Sequence, residues 1–91
     1  MLIRSQNKEI LVNFNVSAGI EIAEGTTKTV VTSYITGCSY LLGEYSTKAK
    51  AMKVLDMIQE AYCKFMSVKN DDAWDGKESV FYMPENSEVE E

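Results

Sequence analysis

The sequence contains no histidine, one proline and two cysteines among its 91 residues. Without histidine the chain lacks the commonest metal ligand, the usual acid–base side chain near neutral pH, and the base of Ser-His and Cys-His nucleophile pairs. Cys38 and Cys63 form no C-x-x-C pair, and no glycine-rich phosphate-binding motif occurs. We therefore predict a non-enzymatic protein with no cofactor and no metal site. Carboxylate pairs that meet only in the fold leave hydrolysis open as an alternative.

Long apolar runs are also missing. No run approaches the roughly 18 residues that predict a transmembrane helix, so no membrane contact is expected. The start of the chain, MLIRSQNKEI, has neither the apolar core nor the cleavage site of a secretory signal. Two cysteines are few for a small secreted domain. These features predict a cytoplasmic protein with reduced thiols, and a Cys38–Cys63 disulfide is the alternative.

Charge is divided unevenly along the chain. Residues 1–69 carry eight basic and six acidic side chains, whereas residues 70–91 carry one basic and eight acidic side chains. The two parts therefore have balances of +2 and −7, and the net charge is −5. Direct nucleic-acid binding is not expected at this charge, because contacts to phosphates dominate such affinity.

The first 43 residues predict an antiparallel β-meander. Apolar and β-branched residues recur in short runs separated by turns at Glu24–Thr27 and Thr36-Gly37. The links are too short for helical crossovers, so neighbouring strands should pair antiparallel. The predicted strands follow a short apolar start at residues 1–4 and cover residues 10–14, 16–23, 29–35 and 38–42, the last of them ended by Gly43.

A long amphipathic helix is predicted from Lys48 to Val68, with Ser46 or Thr47 as its N-cap. About 20 residues span roughly 30 Å, which is enough to cover a sheet. A short strand at residues 78–83 should end at Pro84. The predicted fold class is therefore α+β, with one domain at residues 1–84 and an acidic, mobile tail at residues 85–91. The apolar stripe of the helix comprises Ala51, Val54, Leu55, Ile58, Ala61, Tyr62 and Phe65.

The start of this helix is the predicted anion-binding site. A first helical turn is electropositive and usually carries acidic side chains, but here it carries lysines. A phosphate or a carboxylate would suit that arrangement. The alternatives are that these lysines are simply solvated or that they meet the acidic tail of a neighbouring subunit. The candidate residues are Lys48, Lys50 and Lys53, together with Tyr45 and Thr47.

Two further features predict contacts with a partner. Trp74 lies in an acidic loop, and tryptophan is enriched at binding hot spots, although it could equally cover the chain's own core. The acidic residues of that loop, Asp71, Asp72 and Asp75, lack the pattern of a calcium loop and are predicted to be solvated or to face a partner. Met52 and Met57 lie outside the apolar stripe and predict a second subunit, hence a homo-oligomer.

Three stretches carry a resemblance to known sequences: MLIRSQNKEILVNF, LLGEYSTKAKAMKVLDMIQEAY and FYMPENSEVEE. They resemble a group of small uncharacterised proteins of Gram-positive bacteria, their phages and mobile elements. The resemblance covers about two thirds of the chain. In that group the helix entry has Glu at the position that Ala49 occupies here. The group has no established function, so the resemblance implies kinship and a source rather than an activity.

Together these features predict a non-enzymatic binding protein of a phage or mobile element. We expect an inhibitor of host defence, of the anti-CRISPR or a related kind, that blocks a defence protein or sequesters an anionic nucleotide signal. Its expected partners are a second copy of itself and either a host protein or a small anionic nucleotide, in the cytoplasm of the host cell. The alternative is an accessory or structural oligomeric protein with no small-molecule ligand.

Overall fold

The structure, a computed structural model, describes residues 1–68 and 79–90. The predicted α+β class is confirmed, because antiparallel strands pack against one long helix in the second half of the chain. Within the described residues, no helix has the length and apolar character needed to cross a membrane. The elements are β1 (Leu2–Arg4), β2 (Leu11–Asn13), a 3-10 turn (Phe14–Val16), β3 (Gly19–Glu24), β4 (Thr29–Ile35), β5 (Cys38–Tyr45), α1 (Lys48–Val68), β6 (Val80–Tyr82) and a second 3-10 turn (Asn86–Glu88).

The meander comprises β3, β4 and β5, with β4 in the middle and both pairings antiparallel. The turn between β4 and β5 occurs where predicted, and Thr36 and Gly37 have φ angles of 48° and 81°. Two consecutive residues with positive φ are typical of the tight hairpin turn whose twist matches that of paired strands. The turn therefore fixes the register in which Ile35 faces Cys38.

The predicted end of β5 at Gly43 is wrong, because the strand continues to Tyr45. The register shifts between Val31 and Thr32, which leaves Leu42 as an extra residue in β5. A Cβ on Gly43 would lie 3.0 Å from the ring of Tyr45. Gly43 is therefore a position where the backbone of a bulged strand passes close to a buried ring, a recognised role of glycine in strands.

The first two strands do not belong to the meander. They form a separate sheet, here called the terminal sheet, in the order β2-β1-β6. β1 pairs antiparallel with β2 and parallel with β6, so Ile3 faces both Val12 and Phe81. The prediction of one continuous meander over 43 residues is corrected accordingly. The strand predicted at residues 16–23 begins only at Gly19, and Val16 lies in the 3-10 turn, 60% exposed.

The hydrophobic core lies between the two sheets and α1. The predicted N-cap is confirmed at Thr47, whose Oγ1 accepts a hydrogen bond from the backbone N–H of Lys50 at 3.2 Å. The predicted stripe faces the core, with Ala51, Val54 and Ile58 at most 3% exposed. The core residues are Met1, Ile3, Val12, Val31, Leu42, Tyr45, Ala51, Val54, Ile58, Met83 and Val89.

The segment after Pro84 packs on the domain instead of leaving it. Val89 is 5% exposed and belongs to the core, and the turn at Asn86–Glu88 is closed by a capping box between Glu85 and Glu88. The prediction of a tail outside the domain is therefore corrected for residues 85–90. The apolar Val89 explains the difference, because its burial anchors an otherwise polar segment.

Gln6 connects the two sheets and the segment after β6. Its backbone N–H donates to the Leu42 carbonyl at 2.7 Å, and its side-chain Oε1 accepts from the Glu44 N–H at 3.0 Å. Its Nε2 donates to the carbonyls of Glu44 and Pro84, both at 3.1 Å. We call the group of Gln6, Glu44, Tyr45 and Pro84 the junction. One carboxamide thus acts in place of a strand residue beside β5.

Replacing Gln6 by Ala should lower the free energy of unfolding by on the order of 2–3 kcal/mol, because three side-chain hydrogen bonds are lost at about 1 kcal/mol each. Urea unfolding followed by circular dichroism measures this change. Gln59→Ala is the matched control, since Gln59 is exposed on α1, and should change stability by less than about 0.5 kcal/mol. Equal stability of the Gln6→Ala and wild-type proteins would contradict the role of the junction.

Candidate functional site

The predicted anion site at the start of α1 is occupied by the chain itself. The Nζ of Lys50 donates to the backbone carbonyl of Asn86 at 3.1 Å. The side-chain Oδ1 of Asn86 accepts from the backbone N–H of Ser46 at 2.8 Å. Asn86 therefore binds the helix start through both its backbone and its side chain. Of the three lysines, Lys50 thus contacts the segment after Pro84 of the same chain, through a backbone carbonyl and not through a carboxylate.

Tyr45 is part of the junction and not of a surface site. Its side chain is 1% exposed, and its hydroxyl donates to the Pro84 carbonyl at 2.8 Å. Burial, and secondarily the nearby carboxylates of Glu85 and Glu88, raises the pKa of this hydroxyl well above its ordinary value of 10.0. A buried donor with a satisfied acceptor is not available to a ligand.

The remaining predicted lysines lie apart from one another. Lys48 forms an exposed salt bridge to Glu24, with Nζ 3.5 Å from Oε1. Lys53 is exposed and lines a concavity beside α1 together with Met57, Glu88 and Val89. Thr47 caps the helix, as described above. The structure therefore does not bring the five predicted residues into one cation-lined site.

The predicted partner contacts fall into two groups. Trp74, Asp71, Asp72 and Asp75 lie outside the described residues. Met52 and Met57 are exposed as predicted, at 47% and 40%. Five residues correspond to about 140° around a helix, so these two methionines lie on different flanks of α1. A single neighbouring helix cannot cover both of them.

A groove lies on the flank of α1 that carries Met52. It has a volume of about 350 Å³ and lies between α1 and the segment that leads into β3. That volume is within the range of roughly 300–1,000 Å³ typical of ligand sites. The lining residues are Phe14, Ser17, Gly19, Ile20, Leu55, Ile58, Gln59, Tyr62 and Cys63.

Aromatic rings close one end of this groove. The rings of Phe14 and Tyr62 are 4.8 Å apart between centroids, and Tyr62 also contacts Phe65 at 6.3 Å. Ile20, Leu55 and Ile58 supply the aliphatic part of the walls. This lining suits apolar side chains of a partner, whose burial contributes about 25 cal/mol per Å² of apolar surface.

The groove has few polar groups, and some of them already form hydrogen bonds within the domain. The Ser17 hydroxyl is 2.9 Å from that of Ser33 and also donates to the Gly19 carbonyl at 3.0 Å. Gln59 and Cys63 are exposed at the helix side of the rim, and the Cys63 thiol is free, as is that of Cys38. Specific contacts would therefore come from the Gln59 carboxamide at the rim.

The sequence prediction missed this groove. The sequence predicts a strand at Phe14 and places Leu55, Ile58 and Tyr62 on the stripe that faces the core. A signal was present, because Met52, Leu55, Gln59, Tyr62 and Met66 repeat at spacings of three and four residues beside the core stripe. That second stripe marks a helix flank that the domain's own sheets cover incompletely.

The described residues contain no group of three or more histidine, cysteine, aspartate or glutamate side chains that could hold a metal ion. Asp71, Asp72 and Asp75 lie outside this part of the chain.

No protein-family model, no curated protein and no solved structure matches the chain. Any proposal on function therefore depends on the geometry of the chain's own residues.

The buried hydroxyl of Tyr45 predicts an alkaline loss of stability. The pKa of this hydroxyl is higher in the folded protein than in the unfolded chain. Its contribution to the free energy of unfolding is therefore fully present below about pH 10 and is lost as the pH rises above that value. The slope due to this one group is at most about 1.4 kcal/mol per pH unit. Urea unfolding between about pH 9 and 11 should show a flatter profile for Tyr45→Phe than for the wild type.

Tyr82→Phe is the control for this titration, because Tyr82 is 60% exposed. The Tyr82→Phe protein should lose stability at alkaline pH to the same extent as the wild type. If Tyr45→Phe and Tyr82→Phe have the same pH profile, the buried hydroxyl is not responsible for the loss.

Proposed function

We propose that the protein acts by binding another protein and that the groove beside α1 is its binding surface. The observation that supports this is the groove itself, an apolar concavity with aromatic rings at one end and exposed polar groups at its rim. Such a combination of apolar walls and a few placed polar groups is what recognition sites usually have. We propose a binding role without catalysis, as the sequence also predicts.

Within this proposal, blocking a protein is favoured over sequestering a nucleotide. Lys50 is bound to Asn86, and Lys48 is paired with Glu24. An anionic ligand at the helix start would have to displace these contacts, whereas a partner in the groove displaces only water. We further propose, as expected from the sequence, that the blocked partner is a host-defence protein.

A second candidate role is that of an accessory oligomeric protein. It is favoured by Met52 and Met66, which are 47% and 43% exposed. They are fourteen residues apart and lie within about 40° of each other around the helix, so they share one flank. Sedimentation or light scattering tests this role, because a 10.2 kDa particle at all concentrations would exclude it.

The substitution Gln59→Arg tests the groove as the binding surface. It places a charged, bulky side chain at the rim without removing a core contact, so folding should be unchanged. Tagged protein expressed in a Gram-positive host should recover at least about tenfold less of its specific partner with this variant. Met57→Arg is the matched control, since Met57 is equally a surface residue of α1 but on the other flank, and should recover the wild-type amount.

A panel of cyclic and linear nucleotides in a thermal-shift assay tests the competing mode. Binding raises the midpoint temperature by mass action, so stabilisation by a nucleotide that is lost in Lys50→Ala would contradict the protein-binding proposal. Recovery of the same partners with Gln59→Arg as with the wild type would also contradict it.

A further inference from the structure

One edge of β3 has no paired strand among residues 1–68 and 79–90. The strand is hydrogen-bonded to β4 on one side only, in the order β3-β4-β5. At Gly19 the free side is closed by Ser17, whose hydroxyl accepts from the Gly19 N–H at 3.3 Å and donates to its carbonyl. From Ile20 to Glu24 the edge is open. An open edge presents unpaired N–H and C=O groups and is a template for another strand.

This open edge begins at the groove, because Ile20 is the first residue of the open stretch and lines the groove. Lys48, at the start of α1, is paired with Glu24 at the end of β3, whereas Tyr62, near the end of α1, lies in the groove with Ser17. The helix and the strand are therefore antiparallel, and the groove lies between them. A segment placed against the edge of β3 would have one of its faces in the groove, next to Ile20.

An extended chain is the occupant that satisfies both features. It can form a ladder of backbone hydrogen bonds with the edge, and every second side chain of a strand points to the same face. A helix or a small molecule could fill the apolar volume but would leave the β3 backbone groups unpaired. The open stretch of five residues at about 3.3 Å each offers roughly 16 Å of pairing.

One charge specifies the other face of that chain. Glu21 lies on the outer face of β3, where its Oε1 accepts from the Tyr34 hydroxyl at 2.6 Å. It belongs to no salt bridge within the described part of the chain. A lysine or arginine side chain of a partner would therefore be favoured beside it.

We propose that the groove binds an extended peptide segment that adds to the free edge of β3, with apolar side chains at alternate positions in the groove and basic side chains between them. This proposal deepens the proposed function, because it assumes that the groove is the binding surface. It names the partner by chemistry as an exposed basic strand or an unstructured basic segment of another protein.

Selection from a displayed library of random peptides provides the probe. The enriched peptides should alternate apolar and basic residues. Two N-methylated forms of the best peptide then test strand addition, one methylated at the odd and one at the even amides. Only one of the two sets of amides would face β3, so one form should lose at least about tenfold in affinity and the other should retain it. Equal binding of both forms, or enrichment of acidic peptides, would overturn the proposal.

The two thiols report where the selected peptide binds. Cys63 lines the groove, whereas Cys38 is not among its lining residues, and both are free and exposed. Saturating peptide should slow alkylation of Cys63 at least about fivefold and leave Cys38 unchanged, as measured by mass spectrometry. Unchanged alkylation of Cys63 would place the peptide elsewhere and overturn the proposal.

Two single charge reversals separate the local effect of Glu21 from that of the net charge. Glu21→Lys should weaken binding of the selected peptide by about fivefold. Glu9→Lys changes the net charge equally, but Glu9 lies between β1 and β2 in the terminal sheet, so binding should weaken by less than about twofold. Equal losses in the two variants would contradict recognition by Glu21.

The outcomes also distinguish this proposal from the proposed function. If Gln59→Arg abolishes recovery of the native partner but the N-methylated peptides bind equally, the groove is the binding surface and strand addition is wrong. If the native partner is recovered equally with Gln59→Arg, the proposed function fails, whatever the peptides show.

Discussion

The hydrogen bonds that converge on the Pro84 carbonyl hold together parts of the chain that no single sheet connects. This oxygen accepts from the Tyr45 hydroxyl and from the Gln6 carboxamide, and Gln6 also contacts the backbone of Leu42 and Glu44. The terminal sheet, the meander and the start of α1 are thereby fixed relative to one another. A polar network in a core is stabilising only when its members are satisfied, and every donor of the Gln6 side chain has an acceptor here.

Three distant parts of the chain meet at this place. Gln6 comes from the loop after β1, Glu44 and Tyr45 from the end of β5, and Pro84 and Asn86 from the segment after β6. Their residues bind one another in a single polar network. Lys50 at the helix start belongs to the same assembly, because it is bound to Asn86. The groove lies away from it and is lined mainly by residues outside this network.

Local sequence patterns predict the individual strands, turns and helix well, but they predict the long-range strand pairing poorly. The β4 strand, its turn at Thr36-Gly37, the Thr47 cap and the limits of α1 all follow from side-chain periodicity and backbone preferences within a few residues. The parallel pairing of β1 with β6 joins residues almost eighty positions apart, and no local pattern encodes it. The same applies to Val89, an isolated apolar residue in an acidic segment whose burial depends on where the chain returns. The sequence did not predict the groove, because the apolar residues of α1 that line it adjoin the stripe that faces the core.

The pairing of β1 with β6 has a consequence for how the protein is made. Residues 2–4 are synthesised well before residues 80–82 and cannot complete their sheet until these have followed, and the Val89 side chain enters the core later still. Contacts of such high sequence separation form slowly, because the intervening chain must be ordered before they do so. The meander and α1 can form earlier from neighbouring residues. A nascent chain that stops before residue 80 therefore leaves β1 without one of its neighbours, and an unpaired strand edge of this kind promotes aggregation.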